Sequence, residues 1–433
     1  MNEHQPSSKR FAKSLLLFTN FFLIIAALYH LKPASRSIFV TTLSADQLPY
    51  VWIATAAGLG LMITVYQRIV ARFGRIQVVL GTCATIIALL VAFYPGMHEP
   101  GTPLAFGFYI FVDMLSVILV EQFWSLTDTV FTAEQGKRWY GLIATGGLLG
   151  GVAGGAMSSF WIKHAGLQTM DLLLVAAAIL LVLMVLTLLM GRVGLYVEQR
   201  GVRDDGQGAE HGWRAIMRHR YLLLIALLLL LAQMVEPLVE FQFMKAVESS
   251  IVDREARTAY LGDFFSLLSG VAIGINLLIT PLIHRWFGAI GGLVAQPVAV
   301  LFGSLYYMSQ ATLAAGAFLK IADRGLSYSI NRASKELLYV PIEPLLIFQA
   351  KAWIDMFGYR LFKVLGSVLI LLLTEWLPWS ISAVQLGWLV LAVCVAWGGA
   401  LLALRGEYAR VRAIAAAQRQ SPKTDRRAGL PAN

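Results

Sequence analysis

Long apolar runs alternate with short polar segments along the whole of this 433-residue chain. We count twelve runs of about 20 residues or more, the length that an α-helix needs to cross roughly 30 Å of hydrocarbon. A transmembrane barrel would show segments of about ten residues with alternating polarity instead. The pattern predicts an all-α polytopic membrane protein with twelve transmembrane helices, at residues 14–40, 50–70, 76–95, 104–130, 139–161, 170–191, 221–244, 259–283, 289–308, 311–331, 353–374 and 381–404.

The longest polar interruption, GVRDDGQGAEHG at 201–212, divides the predicted spans into two sets of six. Its glycines and charges are typical of a linker. The predicted organisation is two six-helix halves, a cytoplasmic linker and a basic cytoplasmic tail, at 1–192, 220–405, 193–219 and 406–433, respectively. Six plus six spans is the layout of major facilitator-like transporters, whose site lies near the bilayer midplane between halves that rock to give alternating access.

Charge is unevenly distributed between the two sides of the predicted membrane. Only 14% of residues are charged, and the formal net charge is +10. Most basic residues fall in alternate loops, whereas the opposite loops hold little beyond Lys163, Arg254 and Arg257. This positive-inside pattern predicts a cell inner membrane location with both termini in the cytoplasm. It also accounts for the excess positive charge, so we expect no nucleic-acid partner. The first apolar run has no A-x-A cleavage site and is interpreted as a retained span.

Motifs for catalysis or metal binding do not appear in the sequence. Cys83 and Cys394 lie within apolar runs and form no CxxC pair, and the seven histidines show no HExxH spacing. The glycines of GLIATGGLLGGVAGGA in span five lack the lysine of a phosphate-binding loop. Their small-xxx-small spacing favours close helix packing instead. We therefore predict no catalytic site, metal or cofactor, and a protein that is not an enzyme.

Ionisable residues within the spans are the best candidates for a functional site. Each costs about 2.5–3.5 kcal/mol at the bilayer centre and should face a cavity or a partner. In span one, Lys32 and Arg36 lie four residues apart on one helix face, with Pro33 between them. Snorkelling of these two side chains to the membrane edge is the alternative. Span four carries Asp113 and Glu121.

The second half carries acidic and basic candidates as well. In span seven, Glu236 and Glu240 lie four residues apart, and two like charges on one face require a cation, a proton or a basic partner between them. Asp263 lies in YLGDFFSLLSG at the start of span eight, and Lys335 follows span ten. Span eleven contains Asp355, Arg360 and Lys363, the basic members of which could meet an anionic solute.

Five segments, in order along the chain, resemble the nucleotide exchange transporters of the ATP/ADP translocase type. They are EQFWSLTDTVFTAEQGKRWYGLIATGG (121–147), LVEFQFMK (238–245), YLGDFFSLLSGVA (260–272), YSINRASKELLYVPIE (328–343) and AKAWIDMFGYRLFK (350–363). The resemblance implies a facilitator-like antiporter for nucleotides such as ATP and ADP. It carries over functional charges to Glu240 and Lys363 by motif, and less directly to Lys32, Arg36 and Asp113. The segment PLLIFQ, 344–349, replaces a charged loop of that family.

From these observations we predict a secondary transporter that moves a nucleotide-like anionic solute. The predicted solute contacts are Lys32, Arg36, Asp113, Glu121, Glu240 and Lys363. Residues predicted to act in coupling or conformational change are Glu236, Asp263, Lys335, Asp355 and Arg360. The protein is expected to be a monomer in the lipid bilayer.

Two alternatives stay open at this point. One is a facilitator-type transporter of another organic solute with proton coupling, in which Glu236 and Glu240 carry the proton. The other is a membrane scaffold or sensor that keeps the fold without transporting anything, and it would tolerate neutralisation of Glu240 and Lys363 together.

Overall fold

A computed structural model describes most of the chain. It covers residues 7–70, 72–128, 130–131, 133–192, 214, 216–340, 342, 350–351, 353–354 and 358–420. These residues form helices and short connections and contain no β-strand, so the all-α prediction is confirmed. Most of the predicted linker, the end of the tail and Asp355 lie outside the described residues.

The first part of the chain forms six long helices. They are α1 (Ser7–Leu43), α2 (Leu48–Val70), α3 (Arg75–Phe93), α4 (Thr102–Thr127), α5 (Ala133–His164) and α6 (Asp171–Arg192). Helix α1 continues through Pro33, whose ring nitrogen cannot donate a helical hydrogen bond. The carbonyl oxygen of Tyr29, one turn before Pro33, therefore lacks its usual helical hydrogen-bond donor. This break in the helical hydrogen bonds lies next to Lys32.

The helices of the second part of the chain are more often interrupted than those of the first. It forms α7 (Arg220–Ser250), α8 (Arg254–Gly274), α9 (Thr280–Gln310), α10 (Leu313–Leu326), α11 (Arg332–Tyr339), α12 (Tyr359–Leu371) and α13 (Gly387–Gln420). Single π-helical turns extend α8, α10 and α12, at Ile275–Ile279, Ser327–Asn331 and Leu372–Trp376. Gly288 interrupts α9 with φ of 65°, a left-handed conformation that glycine adopts without steric cost.

Nine helices in the described part of the chain are long and apolar enough to cross a membrane. One of these stretches, Arg254–Gln310, holds two of the predicted spans, which Gly288 separates. Two further predicted spans correspond to α10 and α12, which have only 14 and 13 residues before their π-helical turns. A polytopic membrane protein is therefore supported, whereas the arrangement of twelve helices in two halves stays a prediction.

The glycines of α5 allow two other helices to approach it closely. A Cβ atom on Gly150 would lie 2.5 Å from the carbonyl oxygen of Phe22 on α1. A Cβ atom on Gly155 would lie 2.6 Å from the carbonyl oxygen of Gly262 on α8. The packing interpretation of this glycine-rich span is confirmed, since only residues without a side chain permit such contacts. Helix α5 thereby holds α1 and α8 beside each other.

Buried apolar side chains form two clusters. One contains residues between Leu17 and Met190, and the other consists mostly of residues between Ile216 and Leu404. Phe39, Trp52 and Tyr109 belong to the second cluster although they lie on α1, α2 and α4. Tyr29, which lines the cavity described below, packs against both clusters.

Candidate functional site

A cavity of about 230 Å³ lies between α1, α2 and α4 on one side and α7, α8, α10 and α12 on the other. Five basic and three acidic side chains contribute to its lining: Lys32, Arg36, Lys320, Arg324, Lys363, Asp113, Glu236 and Glu240. Aromatic side chains complete it, among them Tyr29, Trp52, Tyr109 and Tyr328. The cavity therefore combines an excess of positive charge with aromatic surface.

On the side of α1, Arg36 is held by α4. Its Nη2 atom donates to Oδ1 of Asp113 over 3.0 Å, and both side chains are largely buried. The guanidinium group also lies over the ring of Tyr109, 4.9 Å from its centroid. The hydroxyl group of Tyr109 accepts a hydrogen bond of 2.9 Å from Nε1 of Trp52 on α2. Arg36 is thus held by two residues of α4, one of which is bonded to α2, and the snorkelling alternative does not describe it.

On the opposite side, the two glutamates of α7 face two basic residues of α10. Glu240 pairs with Lys320, and Oε2 of Glu236 lies 3.0 Å from Nη2 of Arg324. Both pairs of residues are spaced by four, so each pair shares one helix face. Lys363 of α12 is the second partner of Glu236, at 3.4 Å from Oε1. Basic partners therefore relieve the repulsion expected between the two glutamates.

Arg324 also has a carboxylate partner outside the cavity lining. Its Nε atom donates to Oδ2 of Asp323 over 2.9 Å, and Asp323 is completely buried. The other oxygen of Asp323 accepts from Nε2 of Gln296 at 3.0 Å. A side chain held by two carboxylates in this way keeps a fixed position when the cavity is empty.

Lys32 differs from the other four cations. Its ammonium group lies 5.3 Å from the ring centroid of Tyr29, and it forms no ion pair with any residue that the structure describes. The other four cations each have a carboxylate within ion-pair distance. An anion entering the cavity would meet Lys32 without having to displace a carboxylate from it.

Lys320, Asp323 and Arg324 were not among the candidates predicted from the sequence. They lie in AFLKIADRGL, inside the predicted span 311–331. The criterion that selected the other candidates, an ionisable residue within an apolar span, applies to all three. Lys320 and Arg324 also show the spacing of four residues that marked Lys32 with Arg36 and Glu236 with Glu240.

Five of the six predicted solute contacts line the cavity, and Glu121 does not. Glu121 follows Asp113 by eight residues on α4, which places it about 12 Å further along the helix axis. Glu121 is exposed. Helical geometry thus separates it from the other candidates, although it is on the same helix as Asp113.

The residues predicted to act in coupling are dispersed. Glu236 is in the cavity, and Arg360 lines a smaller adjoining cavity of about 50 Å³ together with Asp113 and Lys363. Two others have partners elsewhere: Nζ of Lys335 donates to the hydroxyl group of Tyr359 over 2.6 Å, and Asp263 of α8 pairs with Lys163 of α5. Asp355 lies outside the described residues.

The chemistry of the cavity suits an anion. Within the residues that the structure describes, no group of three or more histidine, cysteine or carboxylate side chains could hold a metal ion. Lysine and arginine side chains bind phosphate or carboxylate oxygens through charge-assisted hydrogen bonds, and arginine can bind two oxygens at once. A buried location strengthens these interactions because water competes less.

Solved structures with the same fold are transporters. The chain aligns over 90% of its length with 99% of the nucleoside transporter NupG, with a TM-score of 0.62 at 16% identity. It also aligns over 92% with 99% of a bacterial homologue of the iron transporter ferroportin in an inward-facing state, with a TM-score of 0.63 at 13% identity. The fold is therefore that of a major facilitator-like membrane transporter.

Sequence comparison identifies the family. The chain belongs to the TLC ATP/ADP transporter family, because the sequence model of that family matches residues 106–408. It is 21% identical to ADP,ATP carrier protein 2 of Chlamydia pneumoniae over 73% of this chain and 68% of that protein. It is 24% identical to ADP,ATP carrier protein 5 of Rickettsia prowazekii, with 68% of each chain covered. A match to ADP,ATP carrier protein 1 of Chlamydia trachomatis spans only a third of that relative's length, 33%.

The family resemblance seen in the sequence is thus confirmed. The protein is a membrane transporter and not an enzyme, as predicted.

Proposed function

We propose that this protein exchanges nucleotide-like anions across the cell inner membrane, and that the cavity between α1 and α10 binds them. The observation that carries the proposal is the cluster of five cations with only three lining carboxylates, enclosed where the two apolar clusters meet. The carrier proteins to which the chain is similar, named for ADP and ATP, support a nucleotide as the solute.

Each part of a nucleotide has a suitable group in the cavity. The ammonium group of Lys32, which has no carboxylate partner among the described residues, offers a first contact for a phosphate oxygen. The Arg36 and Arg324 guanidinium groups can each bind two oxygens, and Lys320 and Lys363 add single charges. The rings of Tyr29, Tyr109 and Tyr328 offer aromatic surface for a base.

The three carboxylates act as internal counter-ions in this proposal. Asp113, Glu236 and Glu240 hold their cations in place while the cavity is empty and release them in part to the solute. Without a solute, each carboxylate pairs with cations on its own side of the cavity, whereas a bound anion can contact cations of both sides. A cavity of this kind passes from one side of the membrane to the other most readily when an anion is bound. This favours obligatory exchange, in which an anion is carried in each direction.

Contacts at one end of the cavity support alternating access. The ends of α1 and α2 meet α7 and α8 there: Nζ of Lys245 lies 3.0 Å from Oδ2 of Asp46. Nη1 of Arg257 donates to the Thr41 hydroxyl group over 2.8 Å. By the positive-inside pattern this is the outer end. In a transporter of twelve helices in two rocking halves, these contacts close the outer side and break when it opens.

Counterflow in proteoliposomes tests the proposal. Liposomes loaded with unlabelled ADP and containing the purified protein should accumulate labelled ATP or ADP. Lys363→Gln and Arg324→Gln should each abolish accumulation while the protein still inserts. Arg410→Gln is the matched control, because Arg410 is an exposed basic residue of α13 outside the cavity. Equal rates for Arg410→Gln and Lys363→Gln would rule out the assigned site.

The proton-coupled alternative is less well supported by the geometry. Glu236 and Glu240 both have basic partners within ion-pair distance. A carboxylate with such partners is favoured in its charged form and serves better as a counter-ion than as a proton carrier.

A further inference from the structure

An apolar groove of about 380 Å³ lies on the surface of the helix bundle, between α9 and α13. It shares no lining residue with the charged cavity described above. Its lining is apolar except for one residue, Arg405 of α13, which is also the last lining residue along that helix. We call this feature the lateral groove. It combines a long apolar surface with a single positive charge at one end.

The lateral groove has a buried floor and exposed walls. Cys394 and Leu401 are buried, whereas Val395 and Leu402 beside them are 68% and 73% exposed. Gly398 lies between these residues, and a Cβ atom there would meet no atom within 4 Å apart from its chain neighbours and the backbone of its own helix. Exposed apolar side chains of a membrane span face the acyl chains of lipids, which are as apolar as leucine. The groove is therefore open to lipid.

The length of the lateral groove corresponds to one leaflet of the bilayer. On α13 its lining extends from Cys394 to Arg405, and on α9 from Ile290 to Leu301. Each stretch rises by about 16 Å along its helix at 1.5 Å per residue. Half of a hydrocarbon core of roughly 30 Å is about the same length. One acyl chain of a single leaflet would fill the groove.

The end that carries Arg405 lies at the level expected for lipid headgroups. Arg405 directly follows the predicted span 381–404 and begins the basic segment of the tail. On α9, the exposed Trp286 and Phe287 precede the first lining residue, Ile290, by a few positions. Tryptophan is enriched at the interface between membrane and water. By the positive-inside pattern, this end of the groove faces the cytoplasm.

The charge at this end suits a phosphate group. Arg405 is exposed and forms no ion pair or hydrogen bond with any residue that the structure describes. A guanidinium group can donate two parallel hydrogen bonds to a phosphate group. Basic residues at the cytoplasmic surface attract anionic lipids, and basic pockets between membrane helices bind their headgroups. In phosphatidylglycerol no headgroup cation balances the phosphate, whereas phosphatidylcholine carries its own ammonium group.

We propose that the lateral groove binds an anionic phospholipid of the cytoplasmic leaflet, with its phosphate group at Arg405 and an acyl chain between α9 and α13. The lipid fills the space that Gly398 leaves open and contacts both helices along one leaflet. The site is separate from the charged cavity, so the inference goes beyond the proposed exchange of nucleotides and does not depend on which solute is carried.

Native mass spectrometry of the full-length protein tests the inference. The protein, purified in detergent and freed of bound lipid, would be titrated with dioleoyl-phosphatidylglycerol and with dioleoyl-phosphatidylcholine. These two lipids have the same acyl chains and differ only in the headgroup. The first phosphatidylglycerol molecule should bind at least about fivefold more tightly, since one basic residue at the membrane surface contributes about that factor.

Variants of the charged end separate a specific site from general surface attraction. Arg405→Gln should remove the preference for phosphatidylglycerol, and Arg405→Lys should retain part of it because the charge remains. Arg410→Gln is the matched control, since Arg410 is also an exposed basic residue of α13. It lies five residues further on, about 140° around the helix from Arg405. Its preference should equal that of the unmodified protein.

A variant of the apolar part tests the acyl-chain position. Gly398→Leu places a side chain into the groove, and no neighbouring atom obstructs its Cβ position. Binding of both lipids at the first site should weaken severalfold, with little change in their ratio. Unaltered binding of both lipids would contradict the acyl-chain position.

Three results would overturn the proposal. The first is equal affinity of the unmodified protein for the two lipids. The second is an equal loss of preference in Arg405→Gln and Arg410→Gln, which would indicate general attraction by the basic tail. The third is displacement of phosphatidylglycerol by inorganic phosphate, which would show a site for a free anion. A failed counterflow experiment would leave the inference unaffected, because lipid binding is measured without a solute.

Discussion

Glu236 of α7 is shared by two cations, with Arg324 at 3.0 Å and Lys363 at 3.4 Å. It is the only lining carboxylate in the described part of the cavity that joins α7 to both α10 and α12. Removing its charge would leave Arg324 with Asp323 as its one carboxylate partner among the described residues, and would leave Lys363 without this partner. The stability of the second part of the chain should therefore depend on Glu236.

We expect Glu236→Gln to destabilise the protein by about 3–5 kcal/mol, the usual cost of breaking a buried ion pair by removing one partner. Thermal unfolding in detergent, followed by tryptophan fluorescence, would measure this loss. The double variant Glu236→Gln/Arg324→Gln should recover part of it, because Arg324 is then no longer charged and short of a partner. A double variant that is no more stable than the single one would contradict this explanation.

Lys32 should behave differently from Arg36, although both lie on the same face of α1. Lys32→Gln should weaken solute binding by at least about tenfold, or 1.4 kcal/mol, without lowering the melting temperature. Arg36→Gln should weaken solute binding and also lower the melting temperature, because it leaves the largely buried Asp113 without its partner. Concentration-dependent uptake and thermal unfolding of the two variants would measure the difference. A loss of stability in Lys32→Gln equal to that in Arg36→Gln would show that Lys32 is structural.

The glycine contacts of α5 predict a position-dependent effect of a single methyl group. Gly150→Ala should destabilise by about 1–3 kcal/mol, because its Cβ atom would lie 2.5 Å from the carbonyl oxygen of Phe22. Gly141→Ala on the same helix is the control, since no atom lies within 4 Å of its Cβ position apart from its chain neighbours and the backbone of its own helix. It should be neutral or stabilising by up to about 1 kcal/mol. Thermal unfolding of both variants checks this, and equal destabilisation would refute the packing argument.

Cross-linking at the outer contacts should block exchange. Cysteines introduced at Asp46 and Lys245, whose charged atoms lie 3.0 Å apart, can be joined by a short thiol-specific reagent. Counterflow should stop on cross-linking and return when a cleavable cross-linker is reduced. The native Cys83 and Cys394 are buried and should not interfere. Each single-cysteine variant treated in the same way is the control, and undiminished counterflow in the cross-linked protein would contradict alternating access at this end.

Exchange should proceed without a proton gradient. Counterflow rates at equal internal and external pH, with and without a proton ionophore, should agree if Glu236 and Glu240 act as counter-ions. Uptake into liposomes without internal nucleotide that is driven by an imposed pH gradient, and that is lost when the ionophore is added, would favour the proton-coupled alternative instead.

The sequence identified much of this site because the relevant information is local. The spacing of four residues places Lys32 with Arg36, and Glu236 with Glu240, on single helix faces whatever the rest of the fold does. The same rule applied to α10 gives Lys320 and Arg324. The glycine spacing of α5 likewise predicted close packing, which the contacts to Phe22 and Gly262 confirm.

Local periodicity could not decide which charges meet. Arg36 and Asp113 are 77 residues apart, and Glu236 and Lys363 are 127 apart. Their pairing depends on how α1 packs on α4 and how α7 packs on α12. The sequence also did not show at which level of α4 the cavity lies, and this level decides that Asp113 lines it and that Glu121, about 12 Å further along the helix axis, does not.

By itself the sequence determined an all-helical membrane protein of the ATP/ADP transporter family, because span length, loop charge and short motifs are properties of contiguous residues. Only the tertiary structure decided that Lys320 neutralises Glu240, that Arg324 and Lys363 share Glu236, and that Lys32 has no carboxylate partner among the described residues. The physical reason is that ion pairs act over a few ångströms. Helix packing alone brings residues that are distant in the chain within that range.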